Sequence, residues 1–129
     1  MNSPNDYQVG GTHYKSDYEE WDFNLDVYDG CFFLGNANKY ITRWKKKDWV
    51  RDLEKALHYL EKAKENYTTG RMKIPLRKTP ECQSALVAHY VRANSIGLHE
   101  ETIIRYLVAG SIIPAIALLK SLIESESTS

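Results

Sequence analysis

Apolar residues recur at helical spacing through most of this chain, and short runs of turn residues divide the pattern into separate elements. Over Phe32–Trp44, at about 100° per residue, Phe33, Ala37, Ile41 and Trp44 fall on one arc, with Leu34 at its edge. Asn36, Lys39 and Arg43 lie one turn apart on the neighbouring arc, with Tyr40 on its border. A second helix is predicted over Asp48–Asn66. Trp49, Leu53, Leu57, Leu60 and the aliphatic stem of Lys64 form its buried side, with Asp52, Lys55, Ala56 and Tyr59 beside it. If the two core stripes pack antiparallel across the lysine-rich turn, the polar stripes border one groove. That groove holds an amide, two tyrosines, a carboxylate and three cations, and suits a small anionic ligand. The alternative is that these residues form solvated helix faces and salt bridges.

The flanking segments complete a helical reading. Trp21, Phe23, Leu25 and Val27 alternate within Asp17–Asp29. This is either a short strand or an extended or helical segment covering the bundle. The second is favoured because no partner strand appears elsewhere. Asp29-Gly30 marks a turn, and Thr68-Thr69-Gly70 ends the second central helix. The basic stretch Arg71–Pro80 reads as a loop, either a lid over an anion or a solvated connection. Thr79 as N-cap and Pro80 in the first turn open a third helix to about Asn94, with Leu86, Tyr90 and Ala93 on one side. His99–Val108 follows with Ile103, Ile104 and Leu107 inward. Ser111–Ser125 then carries Ile112, Ile113, Ile116, Leu119, Leu122 and Ile123 over more than one face. A helix apolar on several sides is central or a subunit interface, so a homo-oligomer is expected. The predicted fold is all-α: an antiparallel central helix pair completed by C-terminal helices. Residues 1–70 form a helical domain with an N-terminal arm, and 71–129 an extension for packing or oligomerisation.

Composition narrows the chemistry. The 129 residues carry 17 basic and 17 acidic side chains, so the whole chain makes no general electrostatic claim on nucleic acid or membrane. The charge is uneven, however: Lys39, Arg43, Lys45, Lys46 and Lys47 crowd one stretch without an acid. Cys31 and Cys82 lack ligand spacing and read as reduced cytosolic thiols. The most hydrophobic segment, Ile103–Ile123, is interrupted by Arg105, Pro114 and Lys120 and makes a poor membrane span. The first twenty residues show no signal pattern, so a soluble, intracellular protein is expected. His13, His58, His89 and His99 show no metal-ligand spacing, and no metal site is assigned. His58 reads as a partly buried helix residue. Gly10-Gly11 before Thr12-His13-Tyr14 either brings backbone N–H groups to a phosphate or forms an ordinary turn. Neither GxxxxGK[ST] nor GxGxxG occurs. Glu19-Glu20 and Glu100-Glu101 each lack the third carboxylate expected of an all-α nucleotide pyrophosphohydrolase.

Three motifs occur together: Gly11-Thr12-His13-Tyr14; Leu34-Gly35-Asn36-x-x-Lys39-Tyr40-x-x-Arg43-x-x-Lys46-Lys47; and Asp52-Leu53-x-Lys55-Ala56-x-x-Tyr59. The combination resembles a small tailed-bacteriophage domain of unknown function, sometimes called SaV-like. It is also similar to the C-terminal part of the P-loop-less nucleotide kinase of T-odd podophages. The resemblance covers about His13–Glu65. It departs from the pattern at Trp44-Lys45, where relatives carry a small residue and glycine, and ends before Gly70.

The resemblance implies a phosphate-bearing ligand in the groove. Lys39, Arg43, Lys46 and Lys55 would neutralise phosphate oxygens, Arg43 through a bidentate fork. Asn36 and Tyr40 would hydrogen-bond base or sugar, with Tyr14 or Tyr40 stacking on the base, and Tyr59 is a further ligand-binding residue. Asp52 would orient Lys55 or Arg43 or accept a sugar hydroxyl, and His13 would close the site. His13, Arg43 and Asp52 are thereby candidates for phosphoryl transfer from ATP to a (deoxy)nucleoside monophosphate. The magnesium requirement stays open. The setting implied is the cytoplasm of an infected bacterium. Two other functions remain: sequestering a signal nucleotide as a non-catalytic counter-defence protein, and contacting DNA or a host protein through Lys45–Trp49.

Overall fold

Helix α2 (Phe32–Arg43) and helix α3 (Val50–Thr68) are joined by a 3₁₀ turn, Trp44–Lys46, and pack along their length. They run antiparallel: from Arg43 through Tyr40 back to Phe32, the contacts on α3 advance from Asp52 through Lys55 to Tyr59. This computed structural model describes residues 17–73 and 78–128. Around the central pair lie α1 (Glu20–Val27), α4 (Pro80–Asn94), α5 (Leu98–Val108) and α6 (Ile112–Ser127). No strand occurs among the described residues. The alternating segment before Asp29 is therefore helical, and it buries Phe23 and Val27.

Helix ends follow local chemistry. Thr79 Oγ1 accepts from the Cys82 backbone N–H at 3.2 Å, with Pro80 in the first turn where no N–H is needed. Gly70 and Gly110 take positive φ after α3 and α5. Helix α4 ends at Asn94 as the sequence predicts, and Ser95, not a glycine, adopts the left-handed conformation that stops it.

The buried stripe of α3 is Asp52, Leu53, Ala56, Leu60 and Ala63, rotated from the predicted one. Lys64 is exposed, Leu57 is half-buried, and Trp49 is 60% exposed. The reason is tertiary: α3 packs against α6 as well as α2, so the face between those two neighbours is the one removed from water. His58 is likewise exposed rather than partly buried. On α2, Leu34, Ala37 and Ile41 are buried while Phe33 is only half-buried. On α4, Val87 joins Tyr90 in the core.

One apolar cluster draws on all six helices, from Phe23 to Leu119. A buried polar network crosses it. The Tyr28 hydroxyl donates to Asn38 Oδ1 at 3.0 Å, and Asn38 Nδ2 donates to the Tyr90 hydroxyl at 3.1 Å. Tyr90 also lies 2.7 Å from Thr42 Oγ1 and stacks on Phe23 at 4.1 Å. Burial raises the Tyr28 and Tyr90 pKa values, keeping both hydroxyls protonated as donors. This network fixes α2 against α1 and α4, and so fixes the face that α2 turns outward.

Candidate functional site

Tyr40 is the centre of the polar face shared by α2 and α3. Three cations surround its ring: Arg43 Cζ at 4.7 Å from the centroid, Lys55 Nζ at 5.4 Å and Lys39 Nζ at 5.8 Å. Lys39 and Arg43 reach Tyr40 from its own helix, and Lys55 crosses from α3. The ring stacks on Tyr59, 6.0 Å away and 13° from parallel, and Phe32 meets Tyr59 edge-on at 5.7 Å. Tyr40 is half-buried, and cations that stay solvated over an aromatic face each contribute about 0.5–1 kcal/mol. Tyr40, Arg51, Glu54, Lys55, His58 and Tyr59 line an open groove of about 560 Å³.

Beneath this surface lies Asp52. Its side chain has no accessible surface, whereas Arg43 is 33% exposed. Arg43 Nε lies 3.4 Å from Asp52 Oδ2, and Lys55 Nζ lies 3.6 Å from Oδ1. The backbone N–H of Asp48 donates to Oδ2 at 3.2 Å. Neither Arg43 Nε nor Asp52 Oδ1 makes a hydrogen bond, so charge alone holds these two atoms. Lys55 also reaches Asp48 at 3.5 Å. Asp52 thus orients Arg43 and Lys55. Fully buried, it presents no oxygen at the groove surface, so of its expected roles the one seen is orienting Arg43 and Lys55.

The other expected residues divide. Lys39, Tyr40, Arg43, Lys55 and Tyr59 come together as the helical spacing requires. Asn36 is on the same helix, but its amide donates to the Phe32 carbonyl at 2.8 Å. Lys46 is exposed on the 3₁₀ turn and is not one of the cations over Tyr40. His13 and Tyr14 lie outside the described residues.

Sequence reasoning missed Glu20. Burial is the main cause of its raised pKa, while the positive charges of Lys39 and Arg43 pull the other way. A carboxylate from α1 therefore borders the cationic face. No local spacing signals it, because only the packing of α1 on α2 brings Glu20 near Lys39 and Arg43. Among the described residues, no three His, Cys, Asp or Glu side chains gather as a metal site would require.

The turn beside the groove is held from the C-terminal half. Trp44 Nε1 donates to Glu100 Oε2 at 3.1 Å, and Lys45 Nζ lies 3.5 Å from the same oxygen. Trp49, at the start of α3, has φ 53° and ψ −131°. This is a strained conformation for a bulky residue, and such strain is found often at functional sites. Its ring meets Trp44 edge-on at 6.0 Å.

Comparison with known proteins agrees with the three-part motif in extent. A DUF3310 domain, a family described as being of unknown function, is found over residues 2–61. The match ends inside α3, just past Tyr59. No curated protein and no solved structure matches the chain. No described helix is long and apolar enough to cross a membrane.

Proposed function

We propose that this chain binds a nucleotide in the groove over Tyr40. The observation that carries the reading is the convergence of Lys39, Arg43 and Lys55 around a tyrosine stacked on a second tyrosine. An aromatic face suits a base, and the cations suit phosphate oxygens that a purely apolar groove would leave unpaired. Asp52 supports the site from below, keeping Arg43 and Lys55 turned toward each other and raising the order of both side chains before any ligand arrives.

Phosphoryl transfer from ATP to a nucleoside monophosphate is the activity suggested by the resemblance to the podophage enzyme, in the cytoplasm of an infected bacterium. It would work by positioning and charge neutralisation at Arg43 and Lys55. A specific observation favours binding without turnover. The groove is open to water, and Asp52, the carboxylate that Arg43 and Lys55 share, is sealed beneath them. Capture of a signal nucleotide fits that geometry. The exposed Ile113 and Leu118 on α6 support self-association through that helix.

The test is equilibrium binding and turnover with each nucleoside monophosphate, with and without ATP and magnesium, using wild type and the Lys39→Ala and Tyr40→Ala variants. Binding weakened about tenfold or more in both variants is expected from losing a charge-assisted contact or the stacking face. Equal affinity in the variants overturns the assignment. Diphosphate formed catalytically selects transfer, and stoichiometric binding without product selects capture.

A further inference from the structure

The Tyr40 groove does not end at Tyr59. A second open groove, about 570 Å³, adjoins it along α3 and shares both His58 and Tyr59 as its wall. Lys62, Asn66 and Arg71 supply its polar side, and Phe33 and Met72 its apolar side. Lys62 and Lys55 are seven residues apart on one helix, two turns, which places them on the same face about 10 Å apart along the axis. Arg71 is brought back against α3 by its own backbone: its N–H donates to the Asn66 carbonyl at 2.8 Å, and the Met72 N–H to the same oxygen at 3.1 Å. Gly70, with φ 78°, makes the reversal possible. The opposing carboxylate on Lys62 is Glu65 at 3.6 Å, with both side chains more than half exposed. An ion pair this solvated yields readily to a phosphate.

Resting on the nucleotide-binding reading, we propose that the two grooves form one channel for two phosphate-bearing units side by side. Lys39, Arg43 and Lys55 hold the first phosphate, Lys62 and Arg71 hold the second, and Tyr59 separates the two bases. The chemistry is repeated: a cationic edge beside an aromatic wall, twice, at helical spacing. A stripe of cations with interleaved aromatic rings follows a nucleotide backbone without reading its sequence. Two sources share this chemistry. One is a dinucleotide, linear or cyclic. The other is a pair of separate mononucleotides, such as a phosphate donor and its acceptor.

Calorimetric titration separates them. The probes are dAMP, 5′-phosphorylated deoxyadenosine dinucleotide and a cyclic 3′,5′-linked adenosine dinucleotide, each added to wild type and to a Lys62→Ala/Arg71→Ala double variant. Both substitutions lie at exposed positions, and far-UV circular dichroism confirms the fold. Two dAMP per chain, falling to one in the variant, supports the channel and assigns it to paired mononucleotides. One dAMP per chain, with either dinucleotide bound about tenfold or more tighter and that gain lost in the variant, supports the channel and assigns it to a dinucleotide. One dAMP per chain and no gain from either dinucleotide overturns the second subsite while leaving the first standing. No binding of any probe overturns both.

Discussion

Arg43 and Asp52 form an ion pair across the α2–α3 interface, 3.4 Å between Nε and Oδ2, in which the carboxylate is wholly buried and the guanidinium is one-third exposed. The pair joins the site to the fold, because its inner member is part of the core and its outer member faces the groove. Removing the guanidinium would leave a buried negative charge supported chiefly by Lys55.

Arg43→Ala is therefore expected to destabilise the protein by about 1–3 kcal/mol as well as to weaken ligand binding. Arg43→Lys restores the charge without the planar fork and recovers most of the stability but less of the affinity. Urea denaturation alongside nucleotide titration separates the two effects. Equal stability of Arg43→Ala and wild type would show that the ion pair does not support the fold.

Trp49 supplies a test of strain. A residue at φ 53° and ψ −131° has a side chain where glycine alone is comfortable. Trp49→Gly should be more stable than Trp49→Ala by about 1 kcal/mol, the reverse of the usual order of the two residues. Both variants lose the edge-on contact with Trp44, so that contact cancels in the comparison. Thermal unfolding reads the difference directly, and an alanine variant as stable as the glycine one would remove the strain.

Glu100 is the link between the C-terminal helices and the basic turn. It is 5% exposed, and its Oε2 receives the Trp44 indole N–H. Trp44→Phe removes the donor together with the second ring of a buried indole, leaving Lys45 as the main partner of a buried carboxylate. A loss of about 1–3 kcal/mol is expected. Trp44→Phe/Glu100→Gln should recover part of it, because the neutral amide costs less to bury. A double-mutant cycle in urea gives the coupling, and additivity would exclude it.

Glu20 sets a pH dependence. Burial raises its pKa in the folded state, so the native protein holds this proton more tightly than the unfolded chain does. Its contribution to stability is therefore fully present below the ordinary carboxylate value and declines as pH rises through the raised one. Glu20→Gln removes that decline. The stability of the variant relative to wild type should increase with pH across this window and level off above it. A difference that stays flat with pH would refute the shift.

Much of the architecture was legible in the chain. Helix spacing located the central pair, Thr79-Pro80 fixed the start of α4, and Gly70 and Gly110 marked two helix ends. The same spacing put Lys39, Tyr40 and Arg43 on one face of α2 and Lys55 and Tyr59 on one face of α3. Those relations are local, since neighbours three and four apart in a helix meet whatever surrounds them.

Tertiary packing decided the rest. Asp52 and Trp49 exchanged their expected places: the carboxylate is buried and the indole exposed. A helical wheel gives the order of residues around α3 but not which arc its neighbours cover, and α6, distant in sequence, covers the arc that takes Asp52 inward. Burying a carboxylate is favourable only because Arg43, Lys55 and the Asp48 N–H meet it there. Asn38 entered the core for the same reason, its amide satisfied by Tyr28 and by Tyr90 from α4. The sequence by itself determined the helices and the faces their side chains share. Only the folded chain determined which polar groups could leave water, because that depends on partners that sequence spacing does not bring together.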